Sequence, residues 1–150
     1  MMESEKLDMS LQNVEKDDFV FYSIFQWTIR KNPIDLLKAY LTEFSQNEKV
    51  CLVLKTYIMN PNDQAEREHI RKQVLEVKEK LYLDQYPKIV LITSLLSKPQ
   101  IFQLHRAGHC YLSFHKNEGF GIPLAEALMV GNPIISTNYG AQKILYQKKM

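Results

Sequence analysis

Short apolar runs alternate with amphipathic helical patterns along most of the chain, and this alternation limits the possible folds more than any other feature. Phe19 to Phe25 is a run of near-continuous apolar character, as expected of a strand covered on both faces, and Val50 to Tyr57 reads as the second strand. Between them Leu37, Tyr40, Leu41 and Phe44 recur at helical spacing, so a helix is expected over Ile34 to Phe44, with Pro33 and Asp35 at its start. Asn60-Pro61-Asn62-Asp63 opens a long polar helix whose apolar stripe is Ile70, Val74, Val77 and Leu81. Ile89 to Thr93 reads as a third strand, and Pro99 to Ala107 as a short helix carrying Ile101, Phe102 and Leu104. Cys110 to Phe114 and Pro133 to Ser136 follow as the fourth and fifth strands. Strands separated by helices need crossovers, which make neighbouring strands parallel and the connections right-handed. The expected class is α/β, an open parallel sheet of about five to six strands with helices on both faces. Residues 1–17 are polar and are expected to be disordered, leaving 18–150 as one domain.

Within that order one junction carries chemistry. Asn117-Glu118-Gly119-Phe120-Gly121-Ile122-Pro123-Leu124-Ala125-Glu126-Ala127 places two carboxylates eight positions apart across a glycine-rich bend. Leu124, Leu128 and Met129 form the stripe of a short helix that stops at Gly131-Asn132-Pro133. Pro123 suits its first position, where a missing N–H costs nothing. Gly121 and Ile122 cannot cap that helix through a side chain, so its first amides stay open toward an anion such as phosphate. Gly119 and Gly121 allow close backbone approach and positive φ. Glu118 before the bend and Glu126 in the first helical turn can face one crevice and accept from paired hydroxyls of a sugar or ribose. The bland alternative is a strand–helix connection with two exposed glutamates. Ligands of open α/β sheets collect at such junctions, beyond the carboxyl ends of the strands.

Composition narrows the function classes. At 150 residues, 45% hydrophobic and 24% charged, the chain can bury a real core. A net charge of +2, with 15 lysines against four arginines, does not describe a nucleic-acid or anionic-membrane footprint. Cys51 and Cys110 fall in expected strands and read as reduced core residues of a cytoplasmic protein. No apolar run reaches the roughly 20 residues that span a bilayer, and the acidic N-terminus does not read as a signal peptide. His105, His109 and Cys110 have a spacing that suggests metal, but the helix is expected to break at Gly108 and no carboxylate cluster accompanies them, so no metal site is assigned. Ser113 and Cys110 have no evident general base nearby in sequence, which leaves nucleophilic catalysis unsupported.

The block from Ser113 through Glu118 and Glu126 to Gly140 resembles, nearly position by position, the central E-x7-E block of the retaining glycosyltransferases with the GT-B fold, the glycosyl transferases group 1 family. Phe21 to Tyr40 resembles the opening strand and helix of the same domain, and the similarity extends over about residues 18 to 147. The resemblance implies a Rossmann-like domain, the C-terminal, donor-binding half of a GT-B enzyme, truncated at its C-terminal end relative to the family.

It also implies roles. Glu118 would contact the donor sugar, Glu126 the ribose, and the backbone of Phe120, Gly121 and Ile122 the sugar or phosphates. His115, beside the crevice, could contact the donor or could be a strand-edge residue with a satisfied ring. Lys31 matches the family lysine that neutralises the diphosphate. The family arginine usually lies about five residues earlier, where this chain has Gln26, and Arg30 is the candidate to replace its charge. The catalytic set implied is Glu118, Lys31 and Arg30. The nucleobase would lie near Ser94 to Leu96. The function implied is donor binding in the transfer of a sugar from a nucleoside diphosphate to an acceptor, with no metal or other cofactor expected. The expected partners are a nucleotide sugar and an acceptor-binding domain or subunit missing from this chain. Nucleic acid is not among them, and any peripheral membrane association would come through the missing domain. A catalytically silent Rossmann-like interaction module is the alternative.

Overall fold

The computed structural model describes residues 13–116 and 121–137. Five strands, β1 (Phe19–Gln26), β2 (Val50–Tyr57), β3 (Lys88–Ile92), β4 (Cys110–Ser113) and β5 (Ile134–Ser136), form one sheet in the order β3-β2-β1-β4-β5. Every pairing is parallel. The helices are α1 (Pro33–Glu43), α2 (Gln64–Leu81), α3 (Lys98–Ala107) and α4 (Ile122–Met129), and a 3-10 turn, Ile29–Lys31, precedes α1. The fold is Rossmann-like, and each expected strand and helix is present within a residue or two of its expected limits.

Alternation along β1 sorts side chains onto two cores. Phe21 and Phe25 join Leu52, Leu54, Cys110 and Leu112 against Leu36, Leu37, Tyr40 and Leu41 of α1 and Ile70, Val74 and Val77 of α2. Val20, Tyr22 and Ile24 join Cys51, Val53, Val90 and Tyr111 against Leu104 of α3 and Leu124 and Ala127 of α4. A sheet buried on both faces needs the continuous apolar strands that the sequence supplies. Cys51 and Cys110 are both buried and free, on opposite faces of the sheet, and burial pushes the Cys51 thiol up to about 11.

Local signals set the helix ends. The Asp63 side chain accepts from the Ala65 N–H at the start of α2, and a capping box between Ser97 and Gln100 starts α3. Residues 13–18, the end of the expected disordered stretch, form a turn whose Asp17 pairs with Lys49 and whose buried Asp18 pairs with Lys88. Residues 1–12 lie outside the described residues. In α4 the buried stripe is Leu124 and Ala127 with half-buried Leu128, at i, i+3 and i+4, whereas Met129, expected in the stripe, is 77% exposed. One further residue turns the side chain about 100° around the helix, away from the sheet.

Candidate functional site

The strand order makes β1 and β4 neighbours whose connections leave in opposite directions, the topological switch point of an open α/β sheet. Only Phe21↔Cys110 and Tyr22↔Tyr111 pair across it. Beyond that point side chains take over from the ladder. The Tyr111 hydroxyl donates to the Ile24 carbonyl (3.0 Å) and accepts from the Ile24 N–H (3.3 Å), and Ser23 Oγ donates to the Leu112 carbonyl (2.6 Å). Backbone groups at the parting are thus satisfied without a closed ladder, and a crevice can exist there at no unpaired-group cost.

That crevice, of about 50 Å³, is walled by Ser23, Ile24, Phe25 and Lys31 from the β1 side and by Tyr111, Ser113, Phe114, Gly121, Pro123 and Leu124 from the β4 side. Lys31 reaches it from the 3-10 turn. Left-handed Asn32 (φ 57°) reverses the chain there into Pro33, the first residue of α1. The Lys116 N–H donates to the Arg30 carbonyl (2.7 Å), which ties this turn to the residues following β4. Opposite stands the start of α4. Gly121 is its N-cap in the left-handed region (φ 72°), and among the described residues no side chain caps the helix. Gly121 offers no side chain to the first amides, and aligned peptide dipoles place partial positive charge at that end. The helix begins at Ile122, one residue earlier than expected, so Pro123 is second and Glu126 falls just past the first turn.

The expected site residues separate into three groups. Glu118 and Phe120 lie outside the described residues, with Asn117 and Gly119. Lys31 and Gly121 line the crevice, and Ile122 opens the helix beside it with its side chain 64% exposed. Arg30 neighbours Lys31 with an exposed side chain and is not among the residues that wall the crevice. Gln26, at the position of the family arginine, donates its amide to the Ile58 carbonyl across the sheet. Glu126 is not in the crevice wall either. It sits one turn along the same helix face as Pro123 and turns toward α3, with 15% of its side chain exposed. His115, two residues past the crevice-lining Ser113, is fully buried. The Ser113 hydroxyl donates to His115 Nδ1 (2.7 Å), and Nε2–H donates to Thr137 Oγ1 (3.1 Å), whose own proton goes to the His115 carbonyl (2.6 Å). This is the satisfied-ring arrangement, and it holds the loop end in place.

The proposed metal spacing dissolves in the fold. α3 ends at Ala107, His109 Nδ1 accepts from the Val20 N–H (2.8 Å), and His105 turns the other way into the core. Tyr22, Asn132 and His105 were not anticipated as a site from sequence, yet they form a polar chain, buried at Tyr22 and His105, that ends at Glu126. Their only sequence signal is polar residues embedded in otherwise apolar segments. Burial pushes the Tyr22 hydroxyl up to about 12 and lowers the His105 pKa, against an opposing contribution from Glu126. His105 is thus neutral in the folded protein at neutral pH. Below pH 6.5 the unfolded chain takes up a proton that folded His105 resists, so stability on this account is full above 6.5 and declines as pH falls. Urea unfolding between pH 7.5 and 5 should fall more steeply for wild type than for His105→Phe, by at most about 1.4 kcal/mol per pH unit. Equal slopes would show that His105 titrates alike in both states.

Among the described residues no helix is long and apolar enough to cross a membrane. The sequence matches the model of the family described as Glycosyl transferases group 1 over residues 5–146. A curated relative, the Putative glycosyltransferase 48 of Sulfolobus islandicus filamentous virus (isolate Iceland/Hveragerdi), is 42% identical over 48 residues, 32% of this chain and 16% of the relative. Among solved structures, the C-terminal domain of LpcC, a glycosyl transferase group 1 family protein of Francisella tularensis, superposes with a TM-score of 0.62 at 18% identity, over 95% of this chain and 80% of that one. Anabaena HepE, in complex with UDP-glucose, superposes with a TM-score of 0.61 at 19% identity, over 96% of this chain and 36% of HepE. Likenesses at this level of identity speak for the fold alone. The chain spans about a sixth of the length of the curated relative and about a third of HepE.

Proposed function

Because the chain belongs to the glycosyl transferases group 1 family, we propose that it binds the nucleoside diphosphate sugar donor of a retaining glycosyl transfer. The observation that carries this reading is the convergence of Lys31 and the glycine-started α4 on one crevice at the switch point. A cation and a row of open amides facing each other across a narrow gap suit a diphosphate. Glu126, one helical turn or about 5.4 Å further along α4, stands where a ribose attached to that diphosphate can reach it. Glu118 is assigned to the sugar hydroxyls, and the backbone of Phe120, Gly121 and Ile122 to the sugar and phosphates. Arg30 adds charge from the rim, and His115 supports the wall from below.

In this reading sugar transfer proceeds by front-face displacement. Charge developing on the leaving diphosphate is met by Lys31, Arg30 and the helix amides rather than by a metal. The acceptor is held by a second domain or subunit, because transfer needs it pressed against the sugar in a cleft that excludes water. The 150-residue chain by itself is expected to bind donor with little or no turnover.

Calorimetric titration with UDP, GDP and ADP and their sugar conjugates tests the reading. One nucleotide should bind saturably, and Glu126→Ala should weaken it by roughly tenfold, the order of one lost charged hydrogen bond. Absence of binding to a folded sample would leave the junction as a scaffold and favour the interaction-module alternative.

A further inference from the structure

We propose that His105 is a positioning residue: it ends a buried hydrogen-bond relay, Asn132–Tyr22–His105, that aims the Glu126 carboxylate at the ribose of a bound nucleotide. The inference rests on the reading of Glu126 given above and adds a residue to it. Four elements contribute. Tyr22 comes from β1, His105 from α3, Glu126 from α4, and Asn132 from the turn between α4 and β5.

The donors and acceptors run in one direction only. Asn132 Nδ2 donates to the Tyr22 hydroxyl (2.8 Å) and to the His105 carbonyl (2.6 Å). The amide nitrogen has protons but no acceptor capacity, so the Tyr22 hydroxyl accepts there and keeps its own proton available for His105 Nδ1, 2.6 Å away. With Nδ1 occupied as an acceptor, a neutral imidazole carries its proton on Nε2, which faces Glu126 Oε1 at 3.4 Å. This tautomer is favoured from both sides, by the Tyr22 proton at Nδ1 and by the Glu126 carboxylate, an acceptor, at Nε2. Tyr22 and His105 are fully buried, whereas the Glu126 side chain keeps 15% of its surface open. The middle of the relay is thus in the core, and its two ends, half-buried Asn132 and Glu126, lie nearer the surface.

The ring planes are also held. Tyr22 packs edge-on against both His105 and Tyr111, and Gly108 leaves room for the Tyr22 ring where a Cβ would overlap it. A histidine placed only to fill space would not need both nitrogens engaged or a tyrosine proton to select its tautomer. The last link is the longest, so it orients the carboxylate rather than immobilising it, and a ligand hydroxyl can still draw the group outward.

A ribose comparison in calorimetry tests this with the 150-residue chain. The tightest of UDP, GDP and ADP is titrated beside its 2′,3′-dideoxy counterpart. Wild type should prefer the ribonucleotide by roughly tenfold. His105→Phe, which keeps the ring volume and removes the donor, should reduce that preference to within about twofold while the dideoxy compound binds as to wild type. His105→Gln, which can still place an N–H toward Glu126, should recover most of the preference. Tyr22→Phe removes the proton that selects the tautomer and should lower the preference by itself, which keeps the idea testable if His105→Phe does not fold. A purely structural histidine would weaken both ligands equally. If wild type and Glu126→Ala differ in preference but His105→Phe matches wild type, the positioning role is wrong and the donor-site reading stands. If wild type binds both compounds alike, or binds neither, Glu126 does not read the ribose and both inferences fall.

Discussion

Gly108→Ala is expected to lower stability by about 3 kcal/mol and the melting temperature by roughly 6–12 °C. Backbone strain is not the cause, since Gly108 has φ −78° and ψ 154°, angles any residue adopts. The cost is steric. An added Cβ would lie on Cδ1 and Cε1 of Tyr22, and overpacking is cheap only where the neighbour can give way. Tyr22 cannot. It is fully buried, its hydroxyl is held by Asn132 and His105, and its ring is wedged against Tyr111. A double-mutant cycle isolates the contact: in a Tyr22→Ala background the added methyl should cost less than about 1 kcal/mol. A Gly108→Ala protein melting within about 1 °C of wild type would mean that the turn after α3 yields, and that the relay around Tyr22 is looser than its geometry indicates.

The largest functional effect is expected at Lys31. Lys31→Met keeps the stem that packs in the crevice wall and removes the charge, so nucleoside diphosphate affinity should fall by roughly 10- to 100-fold, the range of one to two charge-assisted hydrogen bonds. The parent nucleoside, which has no phosphate, should bind both proteins alike. Wild-type affinity should also weaken as salt rises, and that dependence should be shallower in the variant. Arg30→Ala should matter less, within about threefold, because its side chain is exposed and stands outside the crevice wall. Equal diphosphate affinity in wild type and Lys31→Met would remove the cation from the site and leave only the helix amides to hold an anion.

How much of this was legible beforehand differs between fold and site. The strands were readable because a sheet covered on both faces demands near-continuous apolar runs, and Val50 to Leu54 supplies five such residues in a row. The start of α4 was readable because glycine and isoleucine cannot cap and Gly121 tolerates positive φ, as observed. Met129 was misjudged because apolar character alone does not say which way round a short helix a residue turns. His115 was left with two readings, and the structure adds that it is buried with ring contacts to Ser113 and Thr137, which no spacing along the chain announces. Glu126 was expected to share a crevice with Glu118. Glu118 lies outside the described residues, and Glu126 contacts a histidine on another helix, a partner 21 residues away that no local pattern reveals.

Sequence by itself determined the alternation of strands and helices, the parallel sheet that alternation requires, the open helix start at Gly121 and the family to which the chain belongs. These are properties of periodicity and local backbone chemistry, which act over a few residues and survive in a linear reading. Tertiary structure alone decided that β1 and β4 part after Tyr22, that Tyr111 and Ser23 satisfy the backbone groups at the parting, and that Asn132, Tyr22 and His105 line up behind Glu126. Those contacts join residues 21 to 110 positions apart. Whether a buried hydroxyl or imidazole finds its partner depends on how the sheet brings distant segments together, and no spacing rule along the chain encodes that.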